Sequence, residues 1–237
     1  MPTVLRDASG PVGTYDHDER GGHVYADLFR REPGVSVERA ARAVLADLRG
    51  MRIAGDEPLG RALIAAGGEA LRHAHLMSHD LSERPPVPEP PGYGLTDVDR
   101  PAADLMDAHR AAYPTGHVDH RDESPERTLA DLENYVTGRE FGPLLRGSGL
   151  AVAPDGAVVG AILIGTLPGD PPLNGAWVIE VFRHPAHRGI GRALLERALA
   201  ITDVPALGLM VTEGNPARRL YERLDFRVVQ TALVVQI

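Results

Sequence analysis

The residues with the clearest chemical potential lie between positions 180 and 199, where the sequence predicts a strand, a glycine-containing turn and an amphipathic helix. Such a turn leaves backbone N–H groups unpaired at a helix N-terminus, where they and the helix dipole bind phosphate oxygens. Gly189 and Gly191 leave no side chain between these amides and a ligand, and Arg188 and Arg192 add positive charge. The segment therefore predicts a site for a phosphate-bearing cofactor.

The glycine spacing separates this segment from two common nucleotide sites. A dinucleotide fingerprint needs a third glycine where Leu194 stands, and the chain contains no lysine for a Walker motif. A Gly-x-Gly turn before a helix can also be a simple turn without a ligand, so the prediction of a cofactor site depends on a second motif as well.

That second motif covers residues 211–226, where a strand ends, Asn215-Pro216 opens a helix, and Tyr221 follows six residues after the asparagine. Two interpretations of the tyrosine stay open at this point. It packs in the core, or it directs its hydroxyl into a cleft as a proton donor.

Together the two segments resemble the GNAT superfamily of acyl-CoA-dependent N-acetyltransferases, over roughly residues 93 to 237. Gly-Ile-Gly-Arg-Ala-Leu-Leu, from Gly189, is similar to the pyrophosphate-binding motif of that family. Asn-Pro-Ala-Arg-Arg-Leu-Tyr-Glu-Arg-Leu-Asp-Phe, from Asn215, is similar to its Asn-x-x-Ala-x-x-Leu-Tyr-x-x-Leu-Gly-Phe signature. The resemblance implies transfer of the acetyl group of acetyl-CoA to a primary amine, by direct attack in a ternary complex.

The resemblance also implies roles for individual residues. Glu180 would act on the substrate amine as the base, and Tyr221 would protonate the leaving thiolate. The implied cofactor-binding residues are Val181, Phe182, Arg183, His187, Arg188, Gly189, Ile190, Gly191, Arg192 and Asn215. Among these, the strand-end backbone would bind the pantetheine arm, the turn amides the pyrophosphate, and the asparagine the region near the thioester.

The pyrophosphate motif fits the sequence in two registers. With Gly189 and Gly191 as its glycines, Ala186 stands at the Arg/Gln position of the family; with Gly191 and Ala193, that position is Arg188. We prefer the first register, because the apolar residues of the helix then fall where the family packs it. The turn is then shorter than is usual in the family.

The chemistry of the transfer agrees with these roles. An alkyl ammonium has a pKa of about 10 and must lose a proton before it attacks. Partial burial would raise the pKa of Glu180 toward the working pH. Without any cysteine, the chain offers no thiolate for an acyl-enzyme. The alternatives are a strand-end surface carboxylate for Glu180 and a packed core ring for Tyr221.

A polar loop between two predicted helices supplies candidates for the substrate pocket: His117, Asp119 and His120. Acidic residues here would suit a cationic amine, although a solvated loop has the same composition. Clustered histidines on polar loops are more often solvated than metal-bound, so we expect no metal.

Hydrophobic patterning predicts the elements that must position these residues. Helices are expected over 99–113, 124–136, 191–201 and 216–224, and strands over 149–153, 157–167, 176–182, 206–211 and 226–235. This order predicts an α/β (α+β) fold with a mixed central sheet and helices on both faces; the family resemblance makes the sheet mostly antiparallel and acyl-CoA N-acyltransferase-like.

The N-terminal part predicts a smaller αβαβ unit, with helices over 37–48 and 58–66 and strands over 51–54 and 69–77. Its order repeats that of the C-terminal tail, which suggests a degenerate half-copy of the same fold, although the few identities fit a chance match equally well. Five of the seven residues from 85 to 91 are proline, which predicts a stiff linker over 85–92 between domains 1–84 and 93–237.

Composition limits the partners. The 237 residues carry a formal net charge of −8, which argues against a general nucleic-acid binder. No apolar run is long enough to span a membrane and the N-terminus lacks a signal-peptide core, so we expect a cytoplasmic protein with no membrane partner. The expected partner is a small-molecule or peptide amine, and a homodimer is compatible with the sequence.

A second class of function stays open. The absent Arg/Gln side chain and the short turn are compatible with a non-catalytic, regulatory GNAT-like protein that binds acyl-CoA. Retention of Glu180, Asn215 and Tyr221 together favours the enzyme.

Overall fold

A computed structural model describes residues 2–20, 22–86, 92–169, 171 and 174–237. The chain forms two compact units: unit 1 comprises Met1–Leu76 and Gln230–Ile237, and unit 2 comprises Met77–Val229. Within the described ranges, no helix combines the length and apolar character needed to cross a bilayer.

Unit 1 is built on a meander of three antiparallel strands, followed by two strand–helix steps. Its elements are β1 (Thr3–Asp7), β2 (Gly10–Arg20), β3 (His23–Arg31), α1 (Val37–Asp47), β4 (Arg52–Asp56), α2 (Glu57–Ala65) and the first part of β5 (Glu69–Asp80). Strand β4 runs parallel to β3, and the last strand of the chain, β11 (Arg227–Gln236), pairs antiparallel with β4. The apolar residues of α1 and α2 pack with those of the strands in one core.

Unit 2 contains the second meander. Its elements are β6 (Gly94–Thr96), a 3-10 helix (Ala102–Leu105), α3 (Met106–Ala112), α4 (Pro125–Val136), β7 (Gly149–Val152), β8 (Val158–Leu167), β9 (Gly175–Arg183), α5 (Ile190–Ile201), β10 (Ala206–Thr212) and α6 (Arg218–Arg223). Strands β6 to β9 are antiparallel in sequence order, and β10 lies beside β9 in the parallel direction.

Two apolar clusters sandwich the strands of unit 2. One contains the buried side of α5, including Leu194 and Leu195, and the other joins Leu105 and Leu132 of the helical segment to Phe182 of β9. Strand β8 is buried along most of its length because both clusters include its residues. The predicted mixed, mostly antiparallel sheet with helices on both faces is confirmed.

Most predicted elements are present with small shifts at their ends. The side chain of Ser124 caps α4 by accepting from the Arg127 N–H, as the N-cap pattern predicts. Hydrophobic patterning did not predict strands β1, β2, β3 and β6. Strand β2 carries the polar run Asp-His-Asp-Glu between residues 16 and 19, which hides the hydrophobic alternation that identifies a strand.

The compact units divide the chain differently from the predicted domains 1–84 and 93–237. The boundary falls after Leu76, and Gln230–Ile237 return to complete unit 1 through pairing of β11 with β4. A final strand that joins an earlier unit cannot be inferred from local patterning. Residues 87–91 of the predicted linker 85–92 lie outside the described residues.

The order of elements repeats within the chain. Unit 1 has β1-β2-β3-α1-β4-α2-β5, and the later part of the chain has β7-β8-β9-α5-β10-α6-β11. In both, three antiparallel strands precede a helix that leads to a parallel strand. This order extends the predicted half-copy by three strands, as a duplication would require.

The contact between β9 and β10 depends on a glycine. Gly208 of β10 pairs with Trp177 of β9, and a Cβ at Gly208 would lie 2.3 Å from the indole ring. Because Trp177 is buried, its ring has little room to shift.

We expect Gly208→Ala to destabilise the protein by about 1–3 kcal/mol, because the added methyl overlaps a buried ring. Urea denaturation measures the loss. Gly191→Ala in α5 is the matched control, since a Cβ there meets only Arg183 Cδ at 4.0 Å and alanine favours helix. Equal stability of the two variants would contradict the packing argument.

Candidate active site

The site begins where β9 and β10 stop pairing. Their parallel pairing is confined to Trp177 and Gly208, so the C-terminal half of β9 has no paired residue in β10. In unit 1 the corresponding strands remain paired at three positions, from Tyr25 and Arg52 to Phe29 and Gly55. Among the described residues, unit 2 therefore has an unpaired strand edge where unit 1 has a closed ladder.

The turn after β9 presents free amides. Gly189 is the N-cap of α5 with a φ of 84°, a left-handed conformation that favours glycine, and its cap position has no side-chain bond. The first bond of the helix runs from the Ala193 N–H to the Gly189 carbonyl, so the three preceding amides have no partner within the helix. Gly191 opens this surface further, since an added Cβ would meet only Arg183 Cδ, at 4.0 Å.

The side chain of Arg183 holds the turn in shape. Its Nη1 donates to the carbonyl oxygens of His184 and Pro185, at 3.2 and 3.0 Å, and more distantly to that of His187, at 3.4 Å. Arg188 is exposed beside the turn, and Arg192 pairs with Glu196 one helical turn away at 2.7 Å. The turn is thus electropositive within an acidic chain, and Arg183 contributes a side-chain role that the sequence did not predict.

The corresponding helix start in unit 1 is already capped. The Ser36 hydroxyl accepts from the Arg39 N–H at 3.2 Å, and Glu38 adds a negative charge in the first turn of α1. Arg39 itself is bound to Asp7 at 2.8 Å. A diphosphate would meet an acid and a filled cap at this position, whereas it meets free amides at the start of α5.

A β-bulge orients Glu180. Leu163 pairs with Glu180 while the next residue of β8 pairs with Val178, so Ile179 is the extra residue of β9. The Tyr113 hydroxyl at the end of α3 donates to Glu180 Oε1 at 2.5 Å and lies 3.3 Å from the Val181 carbonyl. Glu180 is half-buried and held in position.

The aromatic surroundings of Glu180 include His109 of α3. Its Nε2 lies 3.9 Å from Glu180 Oε2, and its ring contacts those of Tyr113 and Phe182, with centroids 5.0 and 5.1 Å away. Burial first, and then the charge of Glu180, raise the pKa of Tyr113 well above its usual value. Tyr113 therefore stays protonated and serves as a donor to the carboxylate.

Tyr221 of α6 is buried, and no hydrogen-bond partner for its hydroxyl occurs in the part of the chain that the structure describes. Burial, followed by the charges of Glu180 and Asp119, raises the pKa of Tyr221. The hydroxyl is thus protonated and available to donate a hydrogen bond, and the charges of both carboxylates act on it. Its packing against Phe226, with ring centroids 6.1 Å apart, fixes the ring without using the hydroxyl.

The loop between α3 and α4 reaches the C-terminal end of β10 through Asp119. Its two carboxylate oxygens accept from the Thr212 hydroxyl at 2.5 Å and from Asn215 Nδ2 at 2.6 Å. Asn215 Oδ1 in turn accepts from the Ala217 N–H at 2.8 Å. The structure therefore brings together Asp119 and Asn215, which the sequence assigned separately to the substrate and the cofactor.

The remaining predicted residues have less direct positions. His117 Nδ1 accepts from the Asp119 N–H at 3.1 Å and shapes the loop, while His120 is exposed, with Nδ1 2.8 Å from the Tyr113 carbonyl oxygen. The side chains of Phe182 and Ile190 are buried in the core, which leaves only their backbone for a ligand.

Sequence reasoning missed Tyr113 and His109. Both lie on the helix predicted over 99–113, where their spacing fits a helix and signals no chemistry. Their role comes from the packing of α3 on β9, which brings together residues about 70 positions apart in the chain, as in the bond from Tyr113 to Glu180. No local spacing signals such a contact.

Several carboxylates, with Arg121 among them, lie around Tyr135 of α4. Burial together with the charges of Glu140 and Glu180 raises the pKa of Tyr135 to about 12. Burial and the neighbouring Asp131 also raise the pKa of Glu140. These carboxylates belong to β9, α4 and the segment after α4, and they surround one region of unit 2.

The sequence profile of the acetyltransferase (GNAT) family matches residues 103–226, more than half of the chain. The chain therefore belongs to the GNAT family of acetyltransferases, whose general chemistry is acyl transfer. No curated protein matches the chain as a whole-sequence relative.

Solved structures share the fold over nearly the whole chain. A GCN5-related N-acetyltransferase from Sphaerobacter thermophilus is 19% identical, with a TM-score of 0.63, over 98% of this chain and 78% of that one. A tandem GNAT protein from the clavulanic acid biosynthesis pathway is also 19% identical, with a TM-score of 0.56, over 98% and 80%. A GCN5-related N-acetyltransferase from Kribbella flavida is 21% identical, with a TM-score of 0.53, over 99% and 88%. At these identities the likeness shows a common fold.

The raised tyrosine pKa values predict a two-phase alkaline titration. A tyrosine ionises near pH 10 in water, whereas Tyr113, Tyr135 and Tyr221 ionise later in the folded protein. Absorbance of tyrosinate should therefore show an early phase, up to about pH 11, that Tyr221→Phe leaves unchanged. A smaller early phase in that variant would contradict the assigned burial of the hydroxyl.

Because the folded pKa values of these tyrosines are raised, the stability that they contribute is complete below pH 10. It is lost as the pH rises toward the folded values, since the unfolded chain releases its protons first. Urea denaturation should show a smaller alkaline loss in Tyr221→Phe than in the wild type.

Proposed function

We propose that the protein transfers the acetyl group of acetyl-CoA to a primary amine, by direct attack in a ternary complex. One observation carries this proposal: β9 and β10 pair at a single position, and an uncapped helix start follows the unpaired part of β9. Glu180 lies on that unpaired part, and its charge raises the pKa of Tyr221. An extended cofactor arm needs an unpaired strand edge, and a diphosphate needs free amides. Unit 2 offers both.

The residues at the turn fit the cofactor. The backbone amides from Arg188 to Arg192 would hold the diphosphate, whereas that of His187 already donates to the His184 carbonyl oxygen at 3.0 Å. The open surface at Gly191 would let the diphosphate approach the backbone closely. The backbone of β9 from Val181 to Arg183 would bind the pantetheine arm, with Asn215 near the thioester. The bound acetyl-CoA supplies an activated acyl group and a thiolate leaving group.

Glu180 would act as the base. The amine arrives as an ammonium and gives one proton to the Glu180 carboxylate, directly or through a water molecule. The Tyr113 hydroxyl fixes the orientation of this carboxylate, with His109 next to its other oxygen. The neutral nitrogen then forms a bond to the acyl carbon while the carbon–sulfur bond breaks.

Tyr221 would give its proton to the departing sulfur. Its hydroxyl is protonated and has no competing partner among the described residues, which suits a donor that acts on an incoming group. The backbone N–H of Val181 or a neighbour would stabilise the negative charge that develops on the acyl oxygen. The nitrogen loses its second proton as the amide forms, and that proton restores the Tyr221 hydroxyl. Glu180 releases its own proton to solvent after the products leave.

The acceptor would be a cationic amine. Glu180, Asp119, Asp131 and Glu140 outnumber Arg121 and Arg127 on this side of unit 2. The net negative field would favour the ammonium form as it enters. His117 and His120 lie on the same loop as Asp119 and would border the acceptor pocket.

Release of free thiol tests the proposed activity. The protein is mixed with acetyl-CoA and a panel of amines that includes polyamines, aminoglycosides, amino acids and peptide N-termini. Thiol release that depends on one amine, with acetylated amine found by mass spectrometry, supports the transferase. Binding of CoA without turnover of any amine would instead support a regulatory acyl-CoA-binding protein.

Removal of the base should lower the rate in a pH-dependent way. We expect Glu180→Gln to reduce kcat/KM by about 10²–10⁴-fold near neutral pH. The deficit should narrow as the pH approaches about 10, because more of the amine is then already neutral. Asp155→Asn, on the exposed turn between β7 and β8, is the control and should match the wild type. A deficit that is constant with pH would argue for a structural role of Glu180.

A negative charge at the helix start should remove cofactor binding without unfolding the protein. We expect Gly191→Glu to weaken CoA binding at least about tenfold, because a carboxylate repels the diphosphate. An acid in the first turn suits the helix dipole, so the melting temperature should not fall. Calorimetry gives the affinity, and Gly191→Gln, which has the same size without the charge, is the matched control. An unchanged affinity of Gly191→Glu for CoA would show that the diphosphate does not bind at this turn.

A further inference from the structure

His187 lies in the turn between β9 and α5, next to the free amides. Its Nδ1 is 3.1 Å from the Tyr93 hydroxyl, and the two rings meet edge to face with centroids 5.6 Å apart. Its carbonyl oxygen is 3.4 Å from the Arg183 guanidinium. The ring is therefore held by a residue from outside the turn, and Nδ1 is the nitrogen that is engaged.

The neighbouring His184 is held in a different way. Its Nδ1 accepts from the Ala186 N–H at 3.2 Å, and its ring lies 5.5 Å from that of His187. A nitrogen that accepts from a backbone N–H cannot carry a proton itself. The bond to Ala186 therefore requires the form of His184 whose proton is on Nε2, and a charged form would lose it.

His187 is free of this restriction because its partner is a hydroxyl. A tyrosine hydroxyl donates to an unprotonated nitrogen and accepts from a protonated one after a rotation of its hydrogen. His187 therefore keeps its bond to Tyr93 in both the neutral and the charged form. Of the two histidines in the turn, His187 is the one that can become an imidazolium without loss of a contact.

The charges around His187 favour an anionic ligand. Arg183 of β9 and Arg188 of the turn are positive, and Arg192 of α5 is paired with Glu196. Tyr93 and His184 are the other titratable groups in contact with the ring. The residues from 183 to 192 include no carboxylate. Nearby arginines oppose a further positive charge, and a bound diphosphate would offset that repulsion.

We propose that His187, positioned by Tyr93, binds the diphosphate of the acyl-CoA as an imidazolium, so that cofactor affinity increases as the pH falls. This inference rests on the proposed function. Proton uptake and diphosphate binding reinforce each other, because each lowers the electrostatic cost of the other.

The test measures binding of dephospho-CoA by calorimetry at about pH 6 and about pH 8, the range in which imidazoles change charge. Dephospho-CoA lacks the phosphate monoester of CoA, whose own titration near pH 6 would obscure the effect. We expect the wild type to bind about three- to tenfold more tightly at the lower pH, as one added charge near a diphosphate would give.

Two variants of His187 separate charge from shape. His187→Gln should bind weakly with an equal affinity at both pH values, whereas His187→Arg should bind tightly at both because its charge is permanent. His23→Gln, an exposed histidine of β3 in unit 1, is the matched control and should keep the pH dependence of the wild type. Thermal melting checks that each variant is folded.

The outcomes distinguish this inference from the proposed function. Binding by the wild type that does not change with pH, or a His187→Gln variant that keeps the wild-type pH dependence, would overturn the role of His187. Absence of binding at both pH values, in the wild type and in His187→Arg, would overturn the acyl-CoA site itself.

Discussion

The close approach of Trp177 to Gly208 is the constraint on which the site depends. It is the one point at which β9 and β10 pair, and it requires a residue without a side chain opposite a buried indole ring. Beyond that point the two strands are not paired, so the edge of β9 is open to a ligand. Glu180 and the turn at Gly189 both follow from the course that β9 takes after this contact.

The repeated order of elements shows that the fold alone does not make a site. In unit 1, β3 and β4 remain paired and Ser36 caps the helix that follows. In unit 2 the corresponding strands separate, and Gly189 leaves the helix start open. Two local differences, one in strand pairing and one in the cap residue, therefore leave unit 2 with the open strand edge and the free amides on which the proposed function rests.

Within unit 2 the polar groups form two linked sets. Tyr113 and His109 hold Glu180 on the acceptor side, while Asp119 joins the helical loop to Thr212 and Asn215 at the end of β10. The charges of Glu180 and Asp119 raise the pKa of Tyr221, which forms a hydrogen bond with neither carboxylate. A protonated hydroxyl thus lies near two carboxylates. This arrangement suits the proposed reaction, in which Glu180 accepts a proton and Tyr221 donates one.

The sequence by itself determined the family and the elements of unit 2 other than β6, because hydrophobic period, caps and the two motifs are local features. The glycines of the turn could be found from their spacing, and so could Asn215 and Tyr221, which lie six residues apart in one motif. Only the tertiary structure decided that Tyr113 bonds to Glu180, that Asp119 bonds to Asn215, and that β11 completes unit 1. These contacts join residues about 70, 100 and 180 positions apart, and such distances leave no periodicity in the chain. They are decided by which surfaces pack, and therefore by the fold as a whole.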